Sequence, residues 1–320
     1  MNRTLLISGQ RANFTTLSLD VDKRELSIVA ECPGPFNVSW VEPLASHGDV
    51  DRLVGLSEGD ESGLLYTFEI DHEQKTCNIT SQKSTLGAPA HFVTLPDGSA
   101  LALSTYCGGS VALYPTSVTE KAGLLLADDQ RTELLFDFPY KSVEHERVMY
   151  VLGELSHTVV AFDLSTSPAD EIQPIDGFSP KVVPPSVHPD HQLMMDSAEI
   201  CLHPNIPNVL YVSNRWERHI ADLEPHLENV PKELPPGDAI AIILLSDDGR
   251  RVHETKFVRT NLDTIRGMRL SSDGSLVAMG GQEGGGVEIY GISGERGDVW
   301  TLVASLNKGL ESGIKHAIWL

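Results

Sequence analysis

The chain has no two cysteines near each other in sequence. Cys32, Cys77, Cys107 and Cys201 are scattered through its 320 residues, which excludes the CxxC-type zinc and dithiol redox motifs. Each lies in or beside an apolar run, where a thiol packs as a small hydrophobe. The expectation is reduced thiols in an intracellular, cytoplasmic protein. Long apolar runs are also missing. None approaches the ~18 residues of a membrane helix, and MNRTLLISGQRANF places one basic residue before a very short apolar run, unlike a secretory leader. Without a leader, the glycosylation patterns at Asn13, Asn37 and Asn78 carry no expected role. Positive charge is scarce: 24 Lys and Arg stand against 45 Asp and Glu, a formal net charge of -21. Nucleic acid and anionic membrane are therefore not expected partners. Any site for an anion must be a local basic pocket. There is no Gly-x-Ser-x-Gly elbow, and GGQEGGG is not followed by a helix that would make it a phosphate loop. The stretch holding His188, His191, His203, His219 and His226 matches no metal-ligand spacing, so neither a metal nor another cofactor is expected. Helical periodicity is nearly absent.

What is present is one phrase said several times. AHFVTLPDGSALALSTYCGGSVALYP starts at Ala90, SAEICLHPNIPNVLYVSN at Ser197, DAIAIILLSDDG at Asp238 and IRGMRLSSDGSLVAMGGQEGGGVEIYGIS at Ile265. Short β-rich runs alternate with Pro, Asp, Asn and Gly turns, which reads as all-β. The alternating runs open at Leu65, Val111, Val159, Ile240 and Val287, with spacings of 46, 48, 81 and 47 residues. A unit of about 40–50 residues with four short strands is the blade of a β-propeller. The long spacing holds two excursions, a Pro-rich stretch from Ser165 to about Asp196 and an acidic one from Glu217 to Gly237. GIKHAIWL at the C-terminus reads as a first strand. LLISGQ, FTTLSLDVD and ELSIVAEC at the N-terminus read as the other three. Pairing them would close a ring and leave no open edge, in one domain spanning residues 1–320.

The phrases AHFVTLPDGSALALSTYCGGSVALYP, YVLGELSHTVVAFDL, LYVSNR and QEGGGVEIYGI resemble the lactonase family of seven-bladed propellers. That family includes propeller-type 6-phosphogluconolactonases and the fungal carboxy-cis,cis-muconate cyclase. The ending VEIYGI…VASL…GIKHAIWL is closest in look to the fungal cyclase branch. The chain departs from the family between Val111 and Val159, where the family has a further blade and this chain has KAGLLLADDQRTELLFDFPYKSVEHERVMY. LLLADDQRTELLFDF is either a remnant of that blade's middle strands or the outer strand of the preceding blade. About six complete blades are expected, or six and a damaged seventh.

The resemblance implies a site at the mouth of the central channel, acting on a small lactone or carboxylate. A lactonase needs a base to direct water and a cation for the developing oxyanion. Glu154, in YVLGELS, matches the family's pocket carboxylate, with His91, in PAHFVTL, as a second acid–base candidate. Arg215, in LYVSNR, matches an Arg that holds substrate anions, a role suited to its planar fork. Glu199 and Arg266 stand at the starts of innermost strands, and Gln282 in the loop after a second strand, as further substrate contacts. Structural ion pairing is the plain alternative for Glu199 and Arg266. The family's His in the additional blade and its Gly-Pro-Arg-His phrase have no match, and Lys141, His145 and Arg147 are the local candidates without motif support. Three functions stay open: hydrolysis of a sugar or sugar-phosphate lactone without a cofactor, lactonisation of a carboxymuconate, and a non-catalytic or truncated propeller serving as a binding scaffold.

Overall fold

The structure is a computed structural model that describes residues 2–44, 50–95, 97–106, 110–119, 123–127, 132–135, 142–145, 148–165, 173–223 and 235–320. The chain divides into two compact units, residues 1–139 with 314–320 and residues 140–313.

The first unit begins with β1 (Asn2–Gly9), β2 (Asn13–Asp20) and β3 (Glu25–Pro33), followed by a sheet of β4 (Val38–Pro43), β5 (Val50–Ser57), β6 (Leu64–Asp71) and β7 (Thr76–Ser84). A third sheet holds β8 (Pro89–Thr94), β9 (Ala100–Thr105), β10 (Ser110–Thr119), β11 (Gly123–Leu126) and β12 (Thr132–Leu135). The second unit holds β13 (Ser142–His145), β14 (Val148–Gly153) and β15 (Thr158–Asp163), then helix α1 (Pro189–Gln192). Next come β16 (Asp196–Leu202), β17 (Val209–Arg215), helix α2 (Glu217–Leu223), β18 (Ala239–Leu245) and β19 (Val252–Arg259). Its last sheet is β20 (Asp263–Leu270), β21 (Leu276–Glu283), β22 (Val287–Ser293) and β23 (Val299–Leu306). The C-terminal strand β24 (Ile314–Trp319) belongs to the first unit, where it pairs antiparallel with β1, so the first sheet runs β24-β1-β2-β3 as the two termini require.

Cores lie between the faces of consecutive sheets. Alternation explains how one apolar run serves two of them. In β18, AIAIILL is buried throughout: Ile240, Ile242 and Leu244 pack toward β20 and β21, while Ala241, Ile243 and Leu245 pack toward β14 and β15. Outer strands β3, β7 and β23 are largely exposed. Tyrosines reinforce the sheet-to-sheet contacts of the second unit. Tyr150 donates its hydroxyl to Gly249 O at 2.7 Å, and Tyr211 to Gly297 O at 2.8 Å, each reaching a turn of the following sheet. Tyr211→Phe is expected to cost about 1 kcal/mol, the net worth of one such bond. A urea midpoint equal to that of the wild type would show the bond to be idle.

The repeated Asp-Gly turns have a local cause. Asp97 Oδ1 accepts the Ser99 N–H at 3.0 Å, and Asp273 Oδ1 accepts that of Ser275 at 3.1 Å. Gly98 and Gly274 follow at φ 67 and 71, where side chains are strained. First strands share a second device. A left-handed residue precedes each of β4, β8 and β24, namely Asn37, Ala88 and Gly313, and in β20 it is the second residue, Thr264. The register then slips by one residue at Ser39, Ala90, Arg266 and Lys315 respectively. Such a bulge re-aims a side chain at the strand's start.

The short stretch after β10 resolves into an outer edge. β11 pairs with Thr116–Thr119 of β10, and β12 with Ser110–Leu113, so the two divide one long strand between them. Of the two sequence readings of LLLADDQRTELLFDF, the described residues take the outer-strand one. They form six sheets, and the sheet of β13–β15 has only three strands. Its fourth place holds a single bridge, Phe162 to Pro174, plus the Ile175 N–H donated to Ala161 O at 2.8 Å. Proline cannot donate to a ladder, so the Pro-rich stretch leaves the edge there. Rather than lying loosely, it packs inward: Phe178 and Val182 join the sheet core, and Val183, Val187 and Met195 close on Ile220 of α2. Among the described residues, no helix is long and apolar enough to cross a membrane.

Candidate functional site

In the second unit, charged groups gather where first strands start and second strands end. Arg215 is the last residue of β17 and pairs in register with Asp196, the first of β16. Glu154 follows β14, and its carbonyl accepts the Ser197 N–H at 3.0 Å. The Arg215 guanidinium donates from Nη2 to Glu154 Oε1 and lies 3.6 Å from Asp196 Oδ2. Arg215 is buried, and its Nε has no acceptor among the described residues. Nη2 thus faces two carboxylates, while Nε is buried beside it without such an acceptor.

His157 and Ser197 fix this corner. His157 adopts φ 51, with Nε2 2.9 Å from Gln192 O and Nδ1 3.0 Å from Ser197 Oγ. Since a carbonyl only accepts, Nε2 carries the proton of that bond. Ser197 Oγ is also 3.3 Å from Asn214 Oδ1, whose amide donates to Val182 O at 2.7 Å. The turn carrying Glu154, the Pro-rich stretch and β17 are thereby tied together.

Asp238, just before β18, is fully buried. Its carboxylate accepts four backbone N–H groups: Trp216 at 3.1 Å, Glu217 at 2.9 Å, Thr264 at 2.7 Å and Ile265 at 3.4 Å. Burial, then the charge of Asp263, push its carboxyl up to about 7, against the pull of those donors. Trp216 and Thr264 sit at φ 77 and 60. Left-handed backbone is unfavourable at a bulky residue, so Asp238 holds two strained positions, one beside Arg215 and one just before Arg266.

Arg266, at the bulge of β20, reaches Gln282 Oε1 with Nη1 at 3.4 Å. The Gln282 carbonyl accepts the Gly313 N–H at 2.7 Å. Glu199 is buried in the irregular stretch of β16, where its N–H donates to Ser213 Oγ at 3.0 Å. The structure therefore joins Glu154 with Arg215, and Arg266 with Gln282.

In the first unit, His91 packs edge-on against Trp40, with ring centroids 4.2 Å apart, and His316 stacks on the same indole at 4.5 Å. His316 Nδ1 accepts the Val41 N–H at 3.0 Å. Beside it, buried Lys315 pairs with Glu58.

Three residues were passed over in the sequence. Asp196 reads as the edge of an insertion and Asp238 only as the first residue of the phrase DAIAIILLSDDG. Lys315 was findable: aligning GIKH with TIRG puts it opposite Arg266, and both prove to be bulge residues. Lys141 and Arg147, and the side chain of His145, lie outside the described residues, as does Cys107. Among the described residues Cys32, Cys77 and Cys201 form no disulfide, and Cys32 is buried. His188 caps α1 by accepting the Asp190 N–H. Among the described residues no three His, Cys, Asp or Glu converge as a metal site would require.

Solved structures share the fold. A candidate 6-phosphogluconolactonase from Bacteroides fragilis is 13% identical, covering 100% of this chain and 98% of that one at a TM-score of 0.68. One from Bacteroides uniformis is 15% identical, covering 100% and 99% at 0.70. A periplasmic gluconolactonase of Pseudomonas aeruginosa is 13% identical, covering 100% and 99% at 0.67. At these identities the likeness is one of fold, a β-propeller. No curated protein matches the chain. The family described as lactonase, 7-bladed beta-propeller, matches residues 6–132 and 139–312, and the gap between the two stretches falls where the repeat count is short. The chain belongs to the lactonase family of seven-bladed β-propellers.

Proposed function

We propose that the protein hydrolyses a small lactone of the sugar or sugar-phosphate class without a cofactor, with Glu154 as general base and Arg215 as oxyanion and substrate anchor. The observation that carries this is the Glu154–Arg215 pair, a carboxylate and a guanidinium in contact at the end of two strands. Glu154 takes a proton from water as its oxygen attacks the lactone carbonyl carbon. The Arg215 guanidinium stabilises the negative carbonyl oxygen. When the tetrahedral intermediate collapses, the ring C–O bond breaks and the leaving oxygen takes the proton back from Glu154, giving the hydroxy acid. A positioned base contributes typically 10²–10⁴-fold, and a positioned oxyanion donor about 10²–10³-fold. Arg266, steadied by Gln282, is assigned to a further anionic group of the substrate, and Glu199 to its hydroxyls.

The test is ring opening of gluconolactone, with and without a phosphate, followed by acid release. Acceleration over buffer supports the reading. No acceleration of either compound, together with loss of the diene absorbance of a carboxymuconate, would replace it by the lactonising reaction. No effect on any of the three would leave a binding scaffold.

A further inference from the structure

The charged corner has an apolar rim. Leu155 follows Glu154, Trp216 follows Arg215, and Leu193 and Met194 follow Gln192, whose carbonyl accepts from His157. These four side chains are exposed by 70%, 38%, 86% and 37% respectively. Among the described residues of the second unit, the other large apolar side chains so exposed are Val299 and Leu302, both on the outer strand β23. Single exposed apolar residues need no explanation, but a group of them around polar groups marks a binding surface. Nor is the rim an accident of a loose loop. Trp216 is kept at φ 77 by the Asp238 carboxylate, and Leu193 and Met194 leave a segment anchored by His157 and by the buried Met195. Strain held in place beside a charged site points to use. Glu154 and the Arg215 guanidinium it contacts, next in sequence to Leu155 and Trp216, supply the complementary polar contact, the guanidinium for a carbonyl or carboxylate oxygen.

We infer that the substrate of this site is amphiphilic: a lactone bearing an alkyl or aryl substituent, its ring at Glu154 and Arg215 and its apolar part against Leu155, Leu193, Met194 and Trp216. This inference rests on the lactonase reading and narrows its substrate class to lactones that carry such a substituent. A buried methylene contributes up to about 0.8 kcal/mol, close to a fourfold gain in affinity per carbon.

The experiment uses a series of lactones of one ring size with side chains from methyl to hexyl, in two arms. Turnover is measured on the wild type, and binding by calorimetry on Glu154→Gln, which retains the rim. The expected result is kcat/KM and affinity each rising about two- to fourfold per carbon, with the rise flattened in Leu193→Gln, a change at a side chain too exposed to disturb folding. Affinity that rises without any turnover would sink the lactonase reading and keep the amphiphilic ligand. Affinity flat or falling with chain length overturns the inference, whatever the turnover. So does a wild-type dimer in sedimentation that Leu193→Gln dissociates, since the rim would then cover a second copy of the chain.

Discussion

Asp238→Ala is expected to lower stability by about 3–5 kcal/mol, since several buried donors lose their acceptor and each unsatisfied one costs about 1–3 kcal/mol, less whatever water restores. Four backbone N–H groups lose their acceptor at once, and the two left-handed residues, Trp216 and Thr264, lose what holds them. A urea titration measures the loss. A cost under about 1 kcal/mol would mean that water replaces the carboxylate without penalty. The same residue gives a pH prediction. Its folded pKa of about 7 lies above the ordinary value near 4 of the unfolded chain. The stability it contributes is therefore full below about pH 4 and is lost as pH rises to about 7. Other carboxylates titrate as well, so the quantity to follow is the difference between wild type and Asp238→Asn, in which the side chain cannot ionise. That difference should move against the wild type between about pH 4 and 7. A difference independent of pH would show that the four donors outweigh burial and keep the carboxyl at its ordinary value.

Activity should respond most to the ion pair. Glu154→Gln removes the proposed base while Asp196 remains beside Arg215 to balance its charge. The expected result is a fall in kcat of about 10²–10⁴-fold with little loss of stability. Arg215→Lys keeps a positive charge but loses the planar fork, and kcat/KM should fall about 10²-fold through loss of oxyanion contact. If Arg215 served only as a structural partner of Glu154 and Asp196, the lysine variant would lose stability and keep its kcat.

The strand pattern was legible because it is local. Alternation in VALYP or VEIYG and the Asp-Gly turns need only neighbouring residues, and the pairing of GIKHAIWL with LLISGQ follows from an unfinished unit at each end. Arg215 and Glu154 were singled out only by the family resemblance of LYVSNR and YVLGELS, and their contact with each other is what the structure adds. What failed was non-local. Asp238 reads only as the first residue of DAIAIILLSDDG, and becomes a buried acceptor only when the chain near Trp216 and Thr264 converges on it. The Pro-rich stretch read as an excursion, yet Phe178 and Val182 enter a core whose other residues lie on β14 to β18. The division of β10 between β11 and β12 depends on register, which the short runs GLLL and TELL do not specify. Similarly, the rim of Leu155, Leu193, Met194 and Trp216 is spread over some sixty positions of sequence and is assembled by the hydrogen bonds of His157 and Asp238.

The central claim is that Glu154, held by Arg215, does the chemistry. It is tested most directly by kcat for ring opening of one lactone by wild type and Glu154→Gln, with thermal melting of both as the control for folding. The account predicts clear acceleration over buffer by the wild type and a loss of at least about 10²-fold in the variant, with melting temperatures within a few degrees. Equal kcat values in the two proteins would contradict it.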